Sequence, residues 1–308
     1  MARAVEIVTP SRLHFGMVNP FARELRLYIS AGVAIARPNN TVIVEEDDTL
    51  VVEGCRASEV SSRISGFARR HGLKGTVRIV ECIPKHIGLG STTQLLLAAA
   101  YGLSLVNNLE VDLVEAAREL ELGKYSGVGT YVFKHGGFVM DAGRGGSTVF
   151  PRLITRLEFP EEWAFIVVTP PGGGLDEKLE DQVFKEEVKV PLELVQKAAY
   201  YMLELSASVA DRDFNSFSRT LRLLQETVGE MFSSYQGGVF SASSAEAIKA
   251  LREAGVEGVG QSSWGPTVYG VVYGYEEAER IVEKVSRPGW RVFAARPLNK
   301  GATVRFLR

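Results

Sequence analysis

Cysteine is scarce in this chain, and neither sign of charge dominates it. The two cysteines among 308 residues, Cys55 and Cys82, are too few and too scattered for a disulfide framework or a metal knuckle, so they read as two ordinary thiols in a reducing compartment. Lysine plus arginine number 35 against 37 aspartates and glutamates, and a formal net charge of −2 argues against a general nucleic-acid binder. A local basic cluster can still hold a phosphorylated metabolite. No apolar run approaches the length of a membrane span, and no basic region precedes an apolar stretch near the start, so no membrane partner is expected and the cytoplasm is the expected compartment. Three site motifs are also missing: the Gly-x-x-x-x-Gly-Lys-[Ser/Thr] P-loop, a complete Gly-x-Gly-x-x-Gly dinucleotide fingerprint, and His-Glu-x-x-His. With 45% hydrophobic and 23% charged residues, what remains is a globular protein long enough for two domains of ordinary size.

Strands come first along the chain. Residues 5–8, 33–35, 41–44, 50–52 and 76–80 are rich in β-branched side chains and separated by Gly, Pro, Asn and Asp. A helix from 58 to about 70 interrupts them, an apolar helix runs to about 107, another spans 111–122, and 136–140 returns as a strand. Residues 1–160 therefore predict a mixed α+β domain. After Pro160 come a strand at 163–169, the loop Pro170-Pro-Gly-Gly-Gly174, and then helices. Phe214, Phe217, Leu221, Leu224, Val228 and Met231 mark one apolar helical face. Helices near 243–254 and 276–285 alternate with strands at 268–273, 291–295 and 303–307, so 161–308 predicts a sheet with helices packed on one side.

The most informative stretch is Pro84-Lys-His-Ile-Gly-Leu-Gly-Ser-Thr-Thr-Gln94, followed at once by the apolar run from Leu95. Gly88 and Gly90 permit backbone conformations that a side chain forbids, and the amides of the helix start would face whatever fills the loop, a phosphate or pyrophosphate cradle. The same residues fit a tight turn in which Ser91, Thr92 or Thr93 only caps the helix. In Ser11-Arg-Leu-His-Phe-Gly16, an extended strand puts Arg12 and His14 on one face and Leu13 and Phe15 on the other, an anion anchor or a surface Arg beside a satisfied His. Lys85, His86, Lys134, His135 and Arg144 are further cations near glycines, of which two or three are expected to reach a ligand. Gln261, Ser262, Ser263 and Trp264 lie between glycines just before a strand, offering hydrogen bonds and an aromatic wall or a hairpin corner. The acidic run Gly174-Leu-Asp-Glu-Lys-Leu-Glu-Asp181 fits a charged helix face better than a set of magnesium ligands.

The pattern Pro-x-x-x-Gly-Leu-Gly-Ser-[Ser/Thr] resembles the central motif of the GHMP superfamily. With Gln94 after it, Ser11-Arg-Leu-His-Phe-Gly16 before it, Phe133-Lys-His-Gly-Gly137 in the middle and Gly260-Gln-Ser-Ser-Trp-Gly-Pro-Thr267 late, the chain is similar to the β-ribofuranosylaminobenzene 5'-phosphate synthase family. The blocks fall in that family's order across most of the chain. The resemblance implies a ribosomal-protein-S5-like domain over 1–160, a ferredoxin-like domain over 161–308, and a site in the cleft between them. It implies that phosphoribosyl pyrophosphate condenses with 4-aminobenzoate or 4-hydroxybenzoate, releasing carbon dioxide and pyrophosphate, an early step toward methanopterin-type cofactors and hence an archaeal setting. A homodimer is compatible with it.

On that resemblance, Lys85, Gly88, Gly90, Ser91, Thr92, Thr93, Gln94, Gly127, Gly129 and Gln261 to Trp264 are expected at the substrates, with Arg12, His14 and Ser126 in the chemistry, Mg2+ on the pyrophosphate and Ser91 as a metal candidate. Many GHMP kinases carry an aspartate base in a Ser-Gly-x-Asp block; here Ser126-Gly-Val-Gly129 ends in glycine, which lowers the standing of the alternative, an ATP-dependent small-molecule kinase. Lys124 and Tyr125 stand where the synthase family commonly has arginines. The hydrophobic-acidic loop of ordinary phosphoribosyltransferases is absent, so phosphoribosyl pyrophosphate would have to sit in a kinase-type loop. A non-catalytic ligand-binding protein on the same fold is the third reading.

Overall fold

Each half of the chain builds its sheet from the β-branched runs, and one strand joins the halves. The computed structural model describes residues 3–174, 177–186 and 190–307. In the first half, β1 (Ala4–Val8), β4 (Thr41–Glu45), β5 (Leu50–Gly54) and β6 (Gly75–Glu81) form a sheet whose far edge is β13 (Thr303–Leu307), in the order β13-β1-β4-β6-β5. Only β5 and β6 run parallel. The strand at 303–307 thus returns from beyond residue 160 to pair with β1 along its whole length. A second sheet, β2 (Ser11–Met17), β3 (Ser30–Ile35), β7 (Phe138–Asp141) and β8 (Leu153–Leu157), is antiparallel throughout.

Helices α1 (Ala57–His71), α2 (Ser91–Val106), α3 (Leu113–Glu119) and α4 (Val128–His135) close the first core. Leu95 to Ala100 of α2 are all buried, so α2 is an internal strut rather than an amphipathic cover. Because β5 and β6 are parallel neighbours, their C-terminal ends emerge side by side. That geometry brings Cys55 and Cys82 to a Cα separation of 6.4 Å, and they are joined in a disulfide, which corrects the reading of two free thiols.

The second half holds α5 (Glu177–Lys185), α6 (Leu192–Asp211), α7 (Phe214–Gln236), α8 (Ala242–Glu253) and α9 (Tyr275–Val285) around an antiparallel sheet ordered β10 (Gly258–Gln261), β11 (Val268–Tyr273), β9 (Trp163–Thr169), β12 (Arg291–Ala295). Strand β9 explains the layering. Ala164, Ile166 and Val168 pack with α8 and α9, while Trp163, Phe165 and Val167 pack with α6, α7 and the β2 sheet. Helices therefore cover both faces rather than one, and the continuous apolar run of β9 is what a strand buried on both sides requires. Phe15 of β2 meets Phe165, Phe217 and Tyr269, so β2 is the seam between the halves.

A cationic and aromatic cleft at the seam

The glycine-rich loop is built where the halves touch. Gly88 and Gly90 have φ of +81° and +72°, and a Cβ on Gly88 would lie 2.2 Å from the Ser262 carbonyl oxygen. Ser262 Oγ donates to Gly88 O at 2.6 Å and accepts the His14 amide at 3.0 Å, so Ser262 joins the loop, β2 and the second domain in one knot. Arg12 lies over Gly90, its Nη1 donating to Gly88 O at 3.2 Å and its backbone amide to Leu89 O at 3.1 Å. No side chain caps the N-terminus of α2, which leaves its first amides and the positive end of its dipole for an anion.

A cavity of about 830 Å³ opens from this seam. One arm is cationic: Arg12, Arg63, Arg118, Lys124 and Arg144 line it beside Thr93. Arg118 pairs with Glu115, Lys124 with Asp181, and Arg63 donates to Leu120 O. The Nε atoms of Arg12 and Arg144 are buried with no partner among the described residues. Burial lowers the Arg12 pKa to about 10 against the pull of Glu180, so it remains a cation at neutral pH, and burial lowers Arg144 as well. The other arm is aromatic. Phe184 of α5 stacks 4.2 Å from Tyr125 and meets Phe232 and Trp264, with Met17 and Val228 beside them. Helix α5 roofs both arms: Asp181 accepts the Tyr125 hydroxyl at 2.7 Å and Glu180 accepts Trp264 Nε1 at 2.8 Å.

Of the residues singled out by sequence, Arg12, His14, Thr93, Ser126, Gln261, Ser263, Trp264 and Arg144 meet in this cavity. Others are held elsewhere. Lys85 is 2.7 Å from Glu59 and Lys134 is 3.2 Å from Asp112, each drawn to a carboxylate outside the cleft. Thr92 accepts from Arg56, Ser91 is buried, and fully buried Gln94 donates to Gly129 O at 2.7 Å, tying α2 to α4. Gly127 spends its amide on Asp141, and Gly129 faces Thr93. A Cβ at 129 would lie 3.2 Å from Thr93 Cγ2, so this position is a helix contact. Gly129→Asp is expected to destabilise the fold by roughly 3 kcal/mol, because it buries a carboxylate without a partner. A chemical denaturation curve checks this, with Gly129→Ala as the milder control.

His14, Ser126 and Asp141 form a chain of hydrogen bonds. His14 Nδ1 accepts the Gly16 amide at 3.1 Å, so in the neutral ring the proton sits on Nε2, which faces Ser126 Oγ at 3.2 Å. Ser126 Oγ also accepts the Val128 amide and donates to Asp141 Oδ2, both at 3.2 Å. Burial, then the charge of Arg12, pushes the His14 pKa well below its usual value. His14 is therefore a neutral wall of the cleft beside the Arg12 cation. It is also no base toward Ser126, since its Nε2 already carries a proton, and Ser126 is not an activated nucleophile. Asp141 was missed in the sequence, although a lone carboxylate ending the apolar run Phe138-Val-Met-Asp141 was a visible signal.

Among the described residues no group of three His, Cys, Asp or Glu side chains is set to hold a metal ion. Magnesium carried by a diphosphate needs only one or two carboxylates, and Glu180 and Asp181 at the cleft supply oxygen ligands of that kind. Buried Ser91 lies outside the cavity lining. Of the acidic run at 174–181, residues 175 and 176 lie outside the described residues. No helix among the described residues is long and apolar enough to cross a membrane.

Known proteins match this architecture along its length. Residues 56–137 match the family described as GHMP kinases N terminal domain and residues 202–289 the one described as GHMP kinases C terminal, together more than half of the chain. The chain is 29% identical to a β-ribofuranosylphenol 5'-phosphate synthase of Methanothermobacter thermautotrophicus, covering 96% of this chain and 97% of that relative. It is 28% identical to the Archaeoglobus fulgidus protein of the same name, covering 85% and 86%. Among solved structures, a homoserine kinase from Cytophaga hutchinsonii aligns with a TM-score of 0.70 at 15% identity over 98% of this chain and 97% of that one. A mevalonate diphosphate decarboxylase from Staphylococcus aureus aligns with 0.69 at 14% over 99% and 98%. These two likenesses establish the fold.

Proposed function

The chain belongs to the GHMP superfamily, and from that premise we propose that it is an enzyme condensing phosphoribosyl pyrophosphate with a para-substituted benzoate, 4-hydroxybenzoate or 4-aminobenzoate. The observation that carries this reading is the pairing, in one cleft, of a cationic floor at the start of α2 with an aromatic arm, and of no carboxylate at position 129. Synthases named for a ribofuranosylphenol 5'-phosphate product resemble this chain over most of its length, which supports the same reading.

In this reaction the C1–O bond of the ribose breaks and its electron pair leaves on pyrophosphate. The ring carbon bearing the carboxylate bonds to C1, and the electrons of the ring–carboxylate bond restore aromaticity as carbon dioxide departs. No net proton transfer is required, so a cleft without a general base suffices. Arg12 and the α2 amides face the departing diphosphate. Mg2+ chelated by the diphosphate, with Glu180 and Asp181, supplies further neutralisation when bound. Tyr125, Phe184, Phe232 and Trp264 hold the aryl ring and keep water from the cationic ribosyl carbon. Such a product belongs to methanopterin-type cofactor synthesis.

The test is release of labelled carbon dioxide from carboxyl-labelled benzoates with phosphoribosyl pyrophosphate and Mg2+, with and without ATP. Benzoate-dependent release without ATP is the expected result. ATP-dependent phosphorylation of an added alcohol would give the kinase reading, which the solved structures favour through their fold alone, and binding without turnover would give a ligand-binding protein. Trp264→Ala is expected to raise the KM for benzoate about ten- to hundredfold, the equivalent of ~1.5–3 kcal/mol of lost apolar burial, and to move the KM for phosphoribosyl pyrophosphate far less. Steady-state kinetics with each substrate varied in turn checks this.

A further inference from the structure

Asp141 is the only Asp or Glu with a buried side chain among the described residues, and it forms no ion pair there. A carboxylate buried without a counter-ion is expensive, and what offsets the cost here is a set of three donors. Ser126 Oγ at 3.2 Å and the Gly127 amide at 2.8 Å come from the start of α4, and the Gly143 amide at 2.8 Å from the turn after β7; Ser30 Oγ of β3 lies 3.3 Å from Oδ2 but gives its proton to Tyr28 O at 2.8 Å. Two of the three converge on Oδ2, and one of those two is the hydroxyl that faces the His14 ring.

We propose that Asp141 is a positioning residue of the cleft: by accepting the Ser126 hydroxyl in a hydrogen bond it turns the Ser126 lone pairs to His14 Nε2–H and so holds the neutral His14 ring, whose tautomer the Gly16 amide already sets, hydrogen-bonded in one orientation beside Arg12. The consequence for catalysis rests on the proposed synthase reading; the hydrogen bond to the ring does not. A Ser hydroxyl has one proton to give. While that proton goes to Asp141, the oxygen can only accept from His14. A protonated Asp141 presents a donor of its own to Ser126 Oγ, which competes with His14 Nε2–H for the oxygen lone pairs and releases the ring from its fixed orientation.

Burial pushes the Asp141 carboxyl up to about 6, with its hydrogen bonds pulling the other way. The carboxylate is thus present at pH 7 and protonated at pH 5. The titratable or charged groups facing this site are His14 from β2, with Arg12 beyond it, and Tyr131 from α4; β3 contributes only Ser30. Burial, then the charge of Arg12, holds the His14 pKa well below its usual value and so favours the neutral ring, and a change in its ring signals that vanishes in Asp141→Asn reports Asp141.

The test is a nitrogen-15 NMR titration of the histidine rings in the full chain, with His14 assigned from a His14→Gln spectrum. Wild type is expected to show a hydrogen-bonded Nε2–H above pH 6 and to lose that hydrogen bond, while keeping the tautomer, with a midpoint near 6. Asp141→Asn is expected to show no such midpoint, and under the synthase reading to lose the acidic limb of its kcat profile near that pH. Ser126→Ala keeps the carboxylate and should remove the Nε2 hydrogen-bond signature at pH 7, which preserves the test if Asp141→Asn does not fold. An Nε2–H hydrogen-bond signature that is the same at every pH in wild type, or that survives in a folded Ser126→Ala protein, overturns the proposal. Loss of catalysis alone would bear on the synthase reading, since the ring signals need no substrate.

Discussion

Arg12→Lys is expected to lower kcat/KM on the order of 10²–10³-fold in a protein that stays folded, the scale of losing one preorganised donor at a developing anion. The guanidinium does two jobs that an ammonium cannot share. Its Nη1 holds the Gly88 carbonyl at 3.2 Å, and its Nε, buried and without a partner among the described residues, remains for a ligand. A lysine is a point charge on a flexible stem, and it must choose one of them. It also ionises differently. Arg12 remains charged at neutral pH even with its pKa lowered to about 10, whereas a lysine begins lower and burial depresses it further. The sign follows: residual activity in the lysine variant should fall as pH rises through the depressed lysine pKa, where wild type is flat. Initial rates across pH 6.5–9 measure both effects. Kinetics indistinguishable from wild type would reduce Arg12 to scaffold.

The residues that bring this site together differ in how much of their position the local sequence carries. The run Trp163–Thr169 declares a strand because burial on both faces makes every residue apolar, and the apolar start of α2 declares an internal helix in the same way. Leu13 and Phe15 alternate as an extended strand should, but His14 is buried too, since β2 is covered from both sides by domains that are distant in sequence. Helix α4 was not legible. It has eight residues in glycine-rich text, and what stabilises it is remote: Asp141 on the Gly127 amide just before it and Gln94 on Gly129 O. Lys85 and Gln94 sit in the phosphate-loop motif yet serve structure, because their partners, Glu59 and Gly129, are set by tertiary packing. The acidic run at 174–181 reads as a charged helix face, and part of it is a helix. Its approach to Lys124, Tyr125 and Trp264 across some 60 to 80 residues is a long-range fact that no local pattern encodes. The pairing of β13 with β1 spans nearly the whole chain and is beyond periodicity for the same reason.

Gly90→Val is expected to remove turnover to background, a loss of at least about 10³-fold, for two reasons that can be separated. At φ +72° and ψ 21°, position 90 is left-handed, a conformation that costs a residue with a side chain ~1–2 kcal/mol and a β-branched one more. The chain can relieve that strain only by rotating the peptide that ends the loop, and this turns the first amides of α2 away from the cleft. The second reason is steric. A Cβ at this position lies 3.4 Å from both Cβ and Nε of Arg12, close enough that the two methyl groups of valine must displace the guanidinium. Sequence reasoning places the intrusion in the space of the pyrophosphate; the structure places it first on the arginine that faces that space. Gly90→Ala distinguishes the two, since it keeps the backbone strain and omits the branches. Alanine as inactive as valine would assign the loss to the rotated amides, while an alanine variant that keeps most of its activity would assign it to Arg12. The fold should survive both changes, because α2 is anchored by the buried run from Leu95 to Ala100, well inside its first turn. Circular dichroism and a thermal melt on each variant, beside the carbon dioxide release assay, give the comparison. A folded Gly90→Val protein with near-normal turnover would remove the start of α2 from the site altogether.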